Sequence, residues 1–566
     1  MVHLYRIGGM VLKIAVLVAT LIFVLLPSVF VVSFIPANWD EIRYEVFENP
    51  IIGDTGWKLI QSVLLFSFKL SILTVLIDIA LGIPLAYMLA YGKFIGKSML
   101  DALISLPLVI PTSGFGFATL ISWTTNIGLG GILGLKTGVI DITSRIPVFD
   151  IPILLLLVHV ALTLPYVVKP LQARFVDIKS SLMEASRILG ANPFTSFRKI
   201  ILPLSLPALL SGSIMALTRS LGETGATMIV SGTCITAAVA VVRWEFEFKI
   251  ATASFLGAML ILLTWVTILP LEITISRRGW VSLPKILARI DIERKIIALE
   301  EAISSRILSR IGKASIVAIL AILVMLPIIS TLYSVCIYWG GDPFTGRIEG
   351  GIIYQIFTGP AGYGSLLSRA MLTSFIVAGL STFVSVCISI PLVYLIEWYR
   401  LGRLLRAMLK IPLVIPTSAL GISSMLLWGP RLFNLVTPGL WLIVLTHVVF
   451  SVPVVVESII AVFEGSDIRD CEDVARTLGA KPIELAELVS IPMLKRGILT
   501  GAILSFTHSL GETGATFIVM GGDYTVSTLV VTMVESLAIP AALFSTLLLI
   551  AFSLMFMFMV RVMVGG

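Results

Sequence analysis

LGETGAT, at Leu221–Thr227, occurs again at Leu510–Thr516, 289 residues further along the chain. Other landmarks repeat in the same order around each copy. Gly190 matches Gly479 and Pro203 matches Pro492 at that same spacing. LPLVIPTS (Leu106–Ser113) returns as IPLVIPTS (Ile411–Ser418), 305 residues on, and HVALTLP (His159–Pro165) returns as HVVFSVP (His447–Pro453), 288 residues on. The first half therefore carries an extra stretch of 17 residues between Ser113 and His159. Self-similarity of this kind marks two similar halves fused end to end, and it sets the architecture before any single motif does.

The chain has 566 residues, of which 57% are hydrophobic and 13% charged. Its mean hydropathy is +1.05. A soluble globular chain has about a quarter of its residues charged. Composition therefore excludes a soluble domain and predicts an all-α polytopic membrane protein. The net charge of +7 raises the question of nucleic acid, but the placement of the charges argues against it. Cys234, Cys336, Cys387 and Cys471 are scattered without metal-ligand spacing and are expected to be buried small apolar residues. The apolar run Val11–Phe34 is too long for the core of a cleaved signal and reads as a retained first helix.

A bilayer core needs about 20 apolar residues in helix. Six spans are expected in each half. In the first they run roughly over 11–34, 60–91, 99–122, 150–169, 203–232 and 250–275. In the second they run over 314–337, 366–398, 406–428, 439–462, 493–520 and 540–563. An even number of spans per half makes the repeat parallel. Three segments are rich in Lys and Arg: the loop after span four (Lys169 to Lys199), the segment between the halves (Arg277 to Lys313) and the loop after span eight (Arg400 to Lys410). All three fall on one side if the N- and C-termini are cytoplasmic, which is the orientation expected at the plasma membrane. The acidic loop 35–59 then lies outside. The loop after span ten is an exception, because Glu464, Asp467, Asp470, Glu472, Asp473, Glu484 and Glu487 outnumber its bases; its equivalence to the loop after span four still places it inside. The expected organisation is a first transmembrane half at 1–276, a cytoplasmic amphipathic linker at 277–313 and a second transmembrane half at 314–566. The linker has helical period and is expected to lie along the membrane boundary.

After spans four and ten come polar interruptions too hydrophilic for lipid. They read EASRILGANPFTSFRKIILP (Glu184–Pro203) and DVARTLGAKPIELAELVSIP (Asp473–Pro492). In each, a short helix is expected to end at Gly190 or Gly479, which can take the left-handed closing conformation. Pro193 and Pro482 prevent its continuation. A small amphipathic helix held at the membrane surface suits docking into a groove on a soluble partner.

At these loops the chain resembles the permease subunits of ATP-binding-cassette importers. Their signature is Glu-Ala-Ala, three residues, Gly, nine residues, Ile-x-Leu-Pro. Glu184, Ala185, Ser186, Gly190, Ile200, Leu202 and Pro203 fit it with one change. Asp473, Val474, Ala475, Gly479, Val489, Ile491 and Pro492 keep the spacing with conservative changes. The resemblance implies a type I importer-like fold, in which these loops couple the chain to ATPase subunits. It implies as partners two such subunits, an extracytoplasmic substrate-binding protein and the lipid bilayer, with one copy of this fused chain per transporter. The chain is then a transport subunit rather than an enzyme. No cofactor is expected in it, and no nucleic-acid partner or metal, because the partner ATPase binds ATP and magnesium. The nearest approach to a phosphate-binding loop, Gly92–Ser98, is one residue short and lacks its preceding strand.

LGETGAT falls about 20 residues beyond the Leu-Pro pair, roughly 30 Å along a continuous helix at 1.5 Å per residue. Glu223 and Glu512 would then lie in the outer part of the membrane. Arg219 and His508 stand one turn before them, on the same helix face. The small residues Gly222/Ala226 and Gly511/Ala515 would let helices approach closely. Arg219, Glu223, Thr224, His508, Glu512 and Thr513 are the pathway or gate candidates, since charges inside a membrane default to function. A structural ion pair that locks span five is the alternative. Lys69 is expected to snorkel and Asp78 to pair locally. His159 and His447 are expected to pack or hydrogen-bond rather than bind metal. Paired prolines in both LPLVIPTS-type stretches are expected to kink spans three and nine next to the pathway.

LGETGAT also resembles the LGE-x-GA stretch of molybdate, tungstate and sulfate permeases, which favours a small oxyanion. Permeases with both halves in one chain are more familiar from iron(III) and thiamine importers, the alternative substrates. A secondary transporter with two parallel six-helix halves is the rival of another class, but it would need no such loops.

Overall fold

In lipid, backbone N–H and C=O groups must be satisfied within the chain, and continuous helices do this for long apolar segments. The computed structural model describes residues 14–49, 53–178, 180–276, 306–360, 362–399, 402–431 and 433–565. Most of the linker expected at 277–313 therefore lies outside the described residues, as does Arg400.

Leaving single-turn helices unlabelled, the first half comprises α1 (Leu26–Ala37), α2 (Gly53–Tyr91), α3 (Lys97–Ser105), α4 (Thr112–Thr124) and α5 (Ile153–Asp177). It continues with α6 (Ser180–Ile188), α7 (Leu202–Gly222), α8 (Gly225–Val230), α9 (Ala237–Phe246) and α10 (Ile250–Ser276). The second half repeats the series as α11 (Arg306–Ile337), α12 (Tyr363–Trp398), α13 (Gly402–Val414), α14 (Thr417–Trp428) and α15 (Leu440–Glu464). It ends with α16 (Ile468–Thr477), α17 (Ile491–Gly511), α18 (Gly514–Val519), α19 (Val526–Glu535) and α20 (Ile539–Gly565). Ten helices among the described residues are long and apolar enough to cross a membrane, and two bent pairs bring the total to as many as twelve. The chain is a multi-pass membrane protein.

The bends correct two expectations. Spans three and nine are more than kinked: the chain turns by 109° between α3 and α4 and by 105° between α13 and α14. Pro111 and Pro416 stand at the two corners, extended at ψ 133° and 132°, and have no N–H to continue the preceding helix. Spans five and eleven are also not continuous. α7 stops at Gly222 and α17 at Gly511, Glu223 and Glu512 are extended, and short helices restart at Gly225 and Gly514.

Within each half three helices form a triad: α2, α5 and α7 in the first, α12, α15 and α17 in the second. The leading helices cross over. α1 packs on α14 of the second half, where Val31 N donates to Ser423 Oγ at 3.0 Å. α11 packs on α4 of the first half, where Ser122 and Ser330 share a hydroxyl hydrogen bond of 3.2 Å. The extra stretch of the first half contains a short antiparallel ribbon, β1 (Arg145–Ile146) with β2 (Ile151–Pro152). The cysteines are not buried: Cys336, Cys387 and Cys471 are exposed and Cys234 is half-buried. The first two of these lie on α11 and α12, where an apolar thiol can face lipid as readily as a core.

Candidate functional site

The two LGETGAT segments meet each other. A Cβ added at Gly225 would lie 2.7 Å from Thr513 Oγ1, and one added at Gly514 would lie 2.7 Å from Thr224 Oγ1. Each helix end before the break also touches the opposite half's proline corner. A Cβ at Gly222 would lie 2.9 Å from Pro416 Cα, and one at Gly511 would lie 3.1 Å from Pro111 Cα. Behind these contacts, each restarted helix packs against its own half: Gly116 on Ala226 and Gly421 on Ala515. The contacts are reciprocal, as across a two-fold axis. Two motifs that the sequence repeats, four segments in all, therefore converge on one place. Gly222 and Ala226, read from sequence as one small-residue face, belong to different helices and serve different contacts.

The breaks are hydrogen-bonded locally. Each glutamate turns back over the helix that follows: Glu223 Oε1 accepts from Ala226 N at 3.1 Å, and Glu512 Oε1 from Ala515 N at 3.2 Å. This offsets part of the unmet N–H groups at a helix start. The other carboxylate oxygen faces back. Arg219 Nη2 lies 2.6 Å from Glu223 Oε2, whereas His508 Nε2 lies 3.8 Å from Glu512 Oε2. Glu223 is 2% exposed and Glu512 6%. Arg219 also hydrogen-bonds Tyr166 and lies within electrostatic range of Glu512 across the interface. The Thr417 hydroxyl, at the second proline corner, donates to Glu512. His508 instead stacks on Phe450, with ring centroids 4.7 Å apart. The interface thus holds two buried glutamates and one guanidinium.

Sequence reasoning missed the histidine arrangement. His159 on α5 pairs through Nδ1 with Ser220 Oγ at 2.8 Å, before the break, and through Nε2 with Thr227 Oγ1 at 3.0 Å, after it. His447 on α15 does the same with Ser509 at 2.6 Å and Thr516 at 2.9 Å. Thr227 and Thr516 in turn donate to the carbonyls of Glu223 and Glu512. The available signal was the recurrence of His, Ser and Thr in both halves, with Ser and Thr seven residues apart in each and the His-to-Ser separation differing by one residue. A hydrogen-bonding role was expected for both histidines, and this is what they show. Asp78, also buried, accepts from Thr163 at 2.5 Å, and Lys69 is exposed. Among the described residues no three His, Cys, Asp or Glu side chains are grouped to hold a metal.

At one end of this arrangement the extra stretch folds against the turn after α8. Arg145 pairs with Asp150 at 3.0 Å and donates to Thr233 at 3.2 Å. The Thr143 amide donates to Asp141, with help from its hydroxyl, and holds that carboxyl below its usual range.

The polar loops lie at the far ends of α5, α7, α15 and α17. α6 closes at Gly190, φ +85°, with Ala191 N donating to Ser186 O; α16 closes at Gly479, φ +89°, with Ala480 N donating to Ala475 O. Both are left-handed helix ends that glycine makes accessible. Glu184, Ala185, Asp473 and Val474 are exposed, and so are Leu189 at 86% and Leu478 at 82%. Ser186 faces inward and shares a 2.7 Å hydrogen bond with Ser196. In the second loop the internal tie is ionic: buried Glu472 accepts from Ser490 and pairs with Arg476, whose guanidinium covers the Trp398 ring at 4.5 Å. Single-turn helices begin at Pro193 and Pro482, and a π-turn leads from each into α7 or α17.

Residues 82–276 match the family described as binding-protein-dependent transport system inner membrane component. A 178-residue stretch is 35% identical to the molybdenum transport system permease protein ModB of Escherichia coli, covering 31% of this chain and 73% of that protein. A 196-residue stretch is 32% identical to a probable sulfate transport system permease protein, cysT, of Anthoceros angustus, covering 34% of this chain and 64% of that one. A 171-residue stretch is 31% identical to the molybdate/tungstate transport system permease protein WtpB of Pyrococcus abyssi, covering 30% and 60% respectively.

Proposed function

The chain belongs to the family of binding-protein-dependent transport system inner membrane components, and from that premise we propose that it is the permease of an ATP-driven importer, with both halves in one polypeptide. The observation that carries this reading is the paired geometry. Two broken helices close on each other at one level of the molecule. Two exposed loops of matching fold stand at the far ends of the same helices.

In this reading the loops Glu184–Pro203 and Asp473–Pro492 each engage one ATPase subunit. The exposed Leu189 and Leu478 are the apolar surface such a partner would cover. Both termini lie in the cytoplasm and a binding protein delivers substrate to the opposite side. The pathway runs between the halves, closed at Gly222–Pro416, Gly511–Pro111 and the two threonine contacts. Arg219, Glu223, Thr224, His508, Glu512 and Thr513 line that closure. The substrate is a small tetrahedral oxyanion of the sulfate, molybdate or tungstate kind. The LGE-x-GA stretch supports this, as does the similarity to molybdenum, sulfate and molybdate/tungstate permease proteins.

The test is reconstitution of the chain with an importer ATPase and a substrate-binding protein from its own organism, in vesicles loaded with ATP. Uptake of labelled sulfate, molybdate or tungstate is the expected result. Uptake of iron(III) or thiamine instead would replace the substrate assignment, and uptake without ATP would replace the class.

A further inference from the structure

Each half contains a helix that touches both ends of the apparatus. α5 carries His159 near one end and runs about five turns, roughly 27 Å at 1.5 Å per residue, to Asp177, where the polar loop with α6 begins. α15 carries His447 and runs a similar distance to Glu464, just before α16. Each histidine spans the break in the neighbouring helix, bonding a serine before it and a threonine after it. His159 is 1% exposed and His447 0%, so no water competes for these bonds. A helix broken at Gly-Glu-Thr-Gly has two free joints and would otherwise bend there under load.

We propose that His159 and His447 are positioning residues. Each fastens its long helix to both sides of the neighbouring break, so that a displacement of the polar loop arrives at the glutamate corner as one rigid movement. This rests on the reading of the chain as an ATPase-driven permease and goes beyond it, because it names the path from loop to closure. Three features support it. The bridge occurs twice, from a histidine to an equivalent serine and threonine, on helices that share a pattern of contacts. Both nitrogens of each ring are used, which fixes ring orientation. The threonine end also holds the carbonyl of Glu223 or Glu512, so the clamp reaches the corner itself.

The experiment uses spin-label distances in the whole transporter, with ATPase and binding protein present and the four native cysteines replaced by serine. One label pair, Val176→Cys with Gly465→Cys, reports the loop ends of α5 and α15. The other, Phe248→Cys with Leu537→Cys, reports the tips of the turns that join α9 to α10 and α19 to α20, where both native side chains are highly exposed. ATP binding is expected to change both distances in the otherwise unaltered complex. In His159→Phe with His447→Phe the loop pair should still respond, while the tip pair should lose at least half of its change. His→Gln, which can still reach the threonine, should recover part of it. Should the phenylalanine variant fail to assemble, Ser220→Ala with Ser509→Ala and Thr227→Ala with Thr516→Ala each cut one end of the bridge. Each pair alone should then lose as much as all four together. A tip pair that follows the loop pair undiminished in the variants overturns the clamp alone. A loop pair that ignores ATP in the unaltered complex overturns the ATPase reading and the clamp with it.

Discussion

Gly222 of the first half lies so close to Pro416 of the second that a Cβ placed on it would stand 2.9 Å from the proline Cα. The neighbour here is backbone at a corner without a free N–H, and it has little room to yield. Gly222→Ala is therefore expected to push the halves apart, at a cost of about 1–3 kcal/mol for overpacking. Its reciprocal, Gly511→Ala against Pro111 at 3.1 Å, should cost less. The measurements are the melting temperature of the purified chain and passive leak of labelled oxyanion from vesicles. Both should change more for Gly222→Ala. Equal, negligible effects would mean that the closure relaxes freely.

The two glutamates should not respond alike to loss of their bases. Arg219 is the guanidinium that pairs with Glu223 and lies near Glu512, so Arg219→Ala leaves two buried carboxylates within electrostatic range of each other. Breaking a buried pair in this way costs about 3–5 kcal/mol. His508→Ala removes a contact of 3.8 Å and a ring stack, and should cost clearly less. Adding Glu223→Gln to Arg219→Ala should recover much of the loss. Thermal unfolding of the three variants and the unaltered chain in one detergent provides the comparison.

Glu512→Gln keeps shape and the acceptor for Ala515 N while removing charge. We expect assembly with the ATPase to be intact and the number of substrate ions imported per ATP hydrolysed to fall. Uptake and ATP hydrolysis measured on the same vesicles give that ratio. An unchanged ratio would favour a purely structural pair.

The loop-closing glycines make a sharper case. Gly479 has φ +89° and nothing within 4 Å of an added Cβ, so Gly479→Ala adds backbone strain and no collision. A left-handed alanine costs about 1 kcal/mol, which corresponds to roughly fivefold in affinity for a partner that needs the closed loop. Gly190→Ala should behave alike. Titrating ATPase onto immobilised permease reads this directly.

The second loop is tied by an ion pair where the first is tied by a hydroxyl hydrogen bond. Arg476 holds buried Glu472 and covers Trp398, so Arg476→Ala should loosen 468–490 and raise its amide exchange by about tenfold or more, while α6 is unaffected.

Much of this architecture was legible in the chain because duplication printed every landmark twice. Span count, the loop helices ending at Gly190 and Gly479, and the inward-facing acid–base pairs all follow from period, hydropathy and spacing. The breaks did not. Gly-Glu-Thr-Gly lies in an apolar run long enough to span a bilayer, and hydropathy averages over four residues. What holds the break is tertiary: the opposite half's proline corner occupies the space at Gly222, and the His159 ring nitrogens bond the hydroxyls of Ser220 and Thr227 on either side. The crossing of α1 onto α14 and of α11 onto α4 was equally hidden, since an apolar helix carries no label for the surface it will cover.

Arg219 and His508 occupy equivalent positions, yet only one of them is a guanidinium. Two identical subunits meeting on a two-fold axis receive every substitution in duplicate. A guanidinium on one side brings a second with it, and the neighbourhood of two glutamates would then hold two positive charges. Joining the copies removes that constraint. A change on one side of the axis occurs once, so the centre can carry an unequal number of opposite charges and keep one of its acids without a strong partner. Fusion thereby permits a resting charge state that no homodimer of either half could reach.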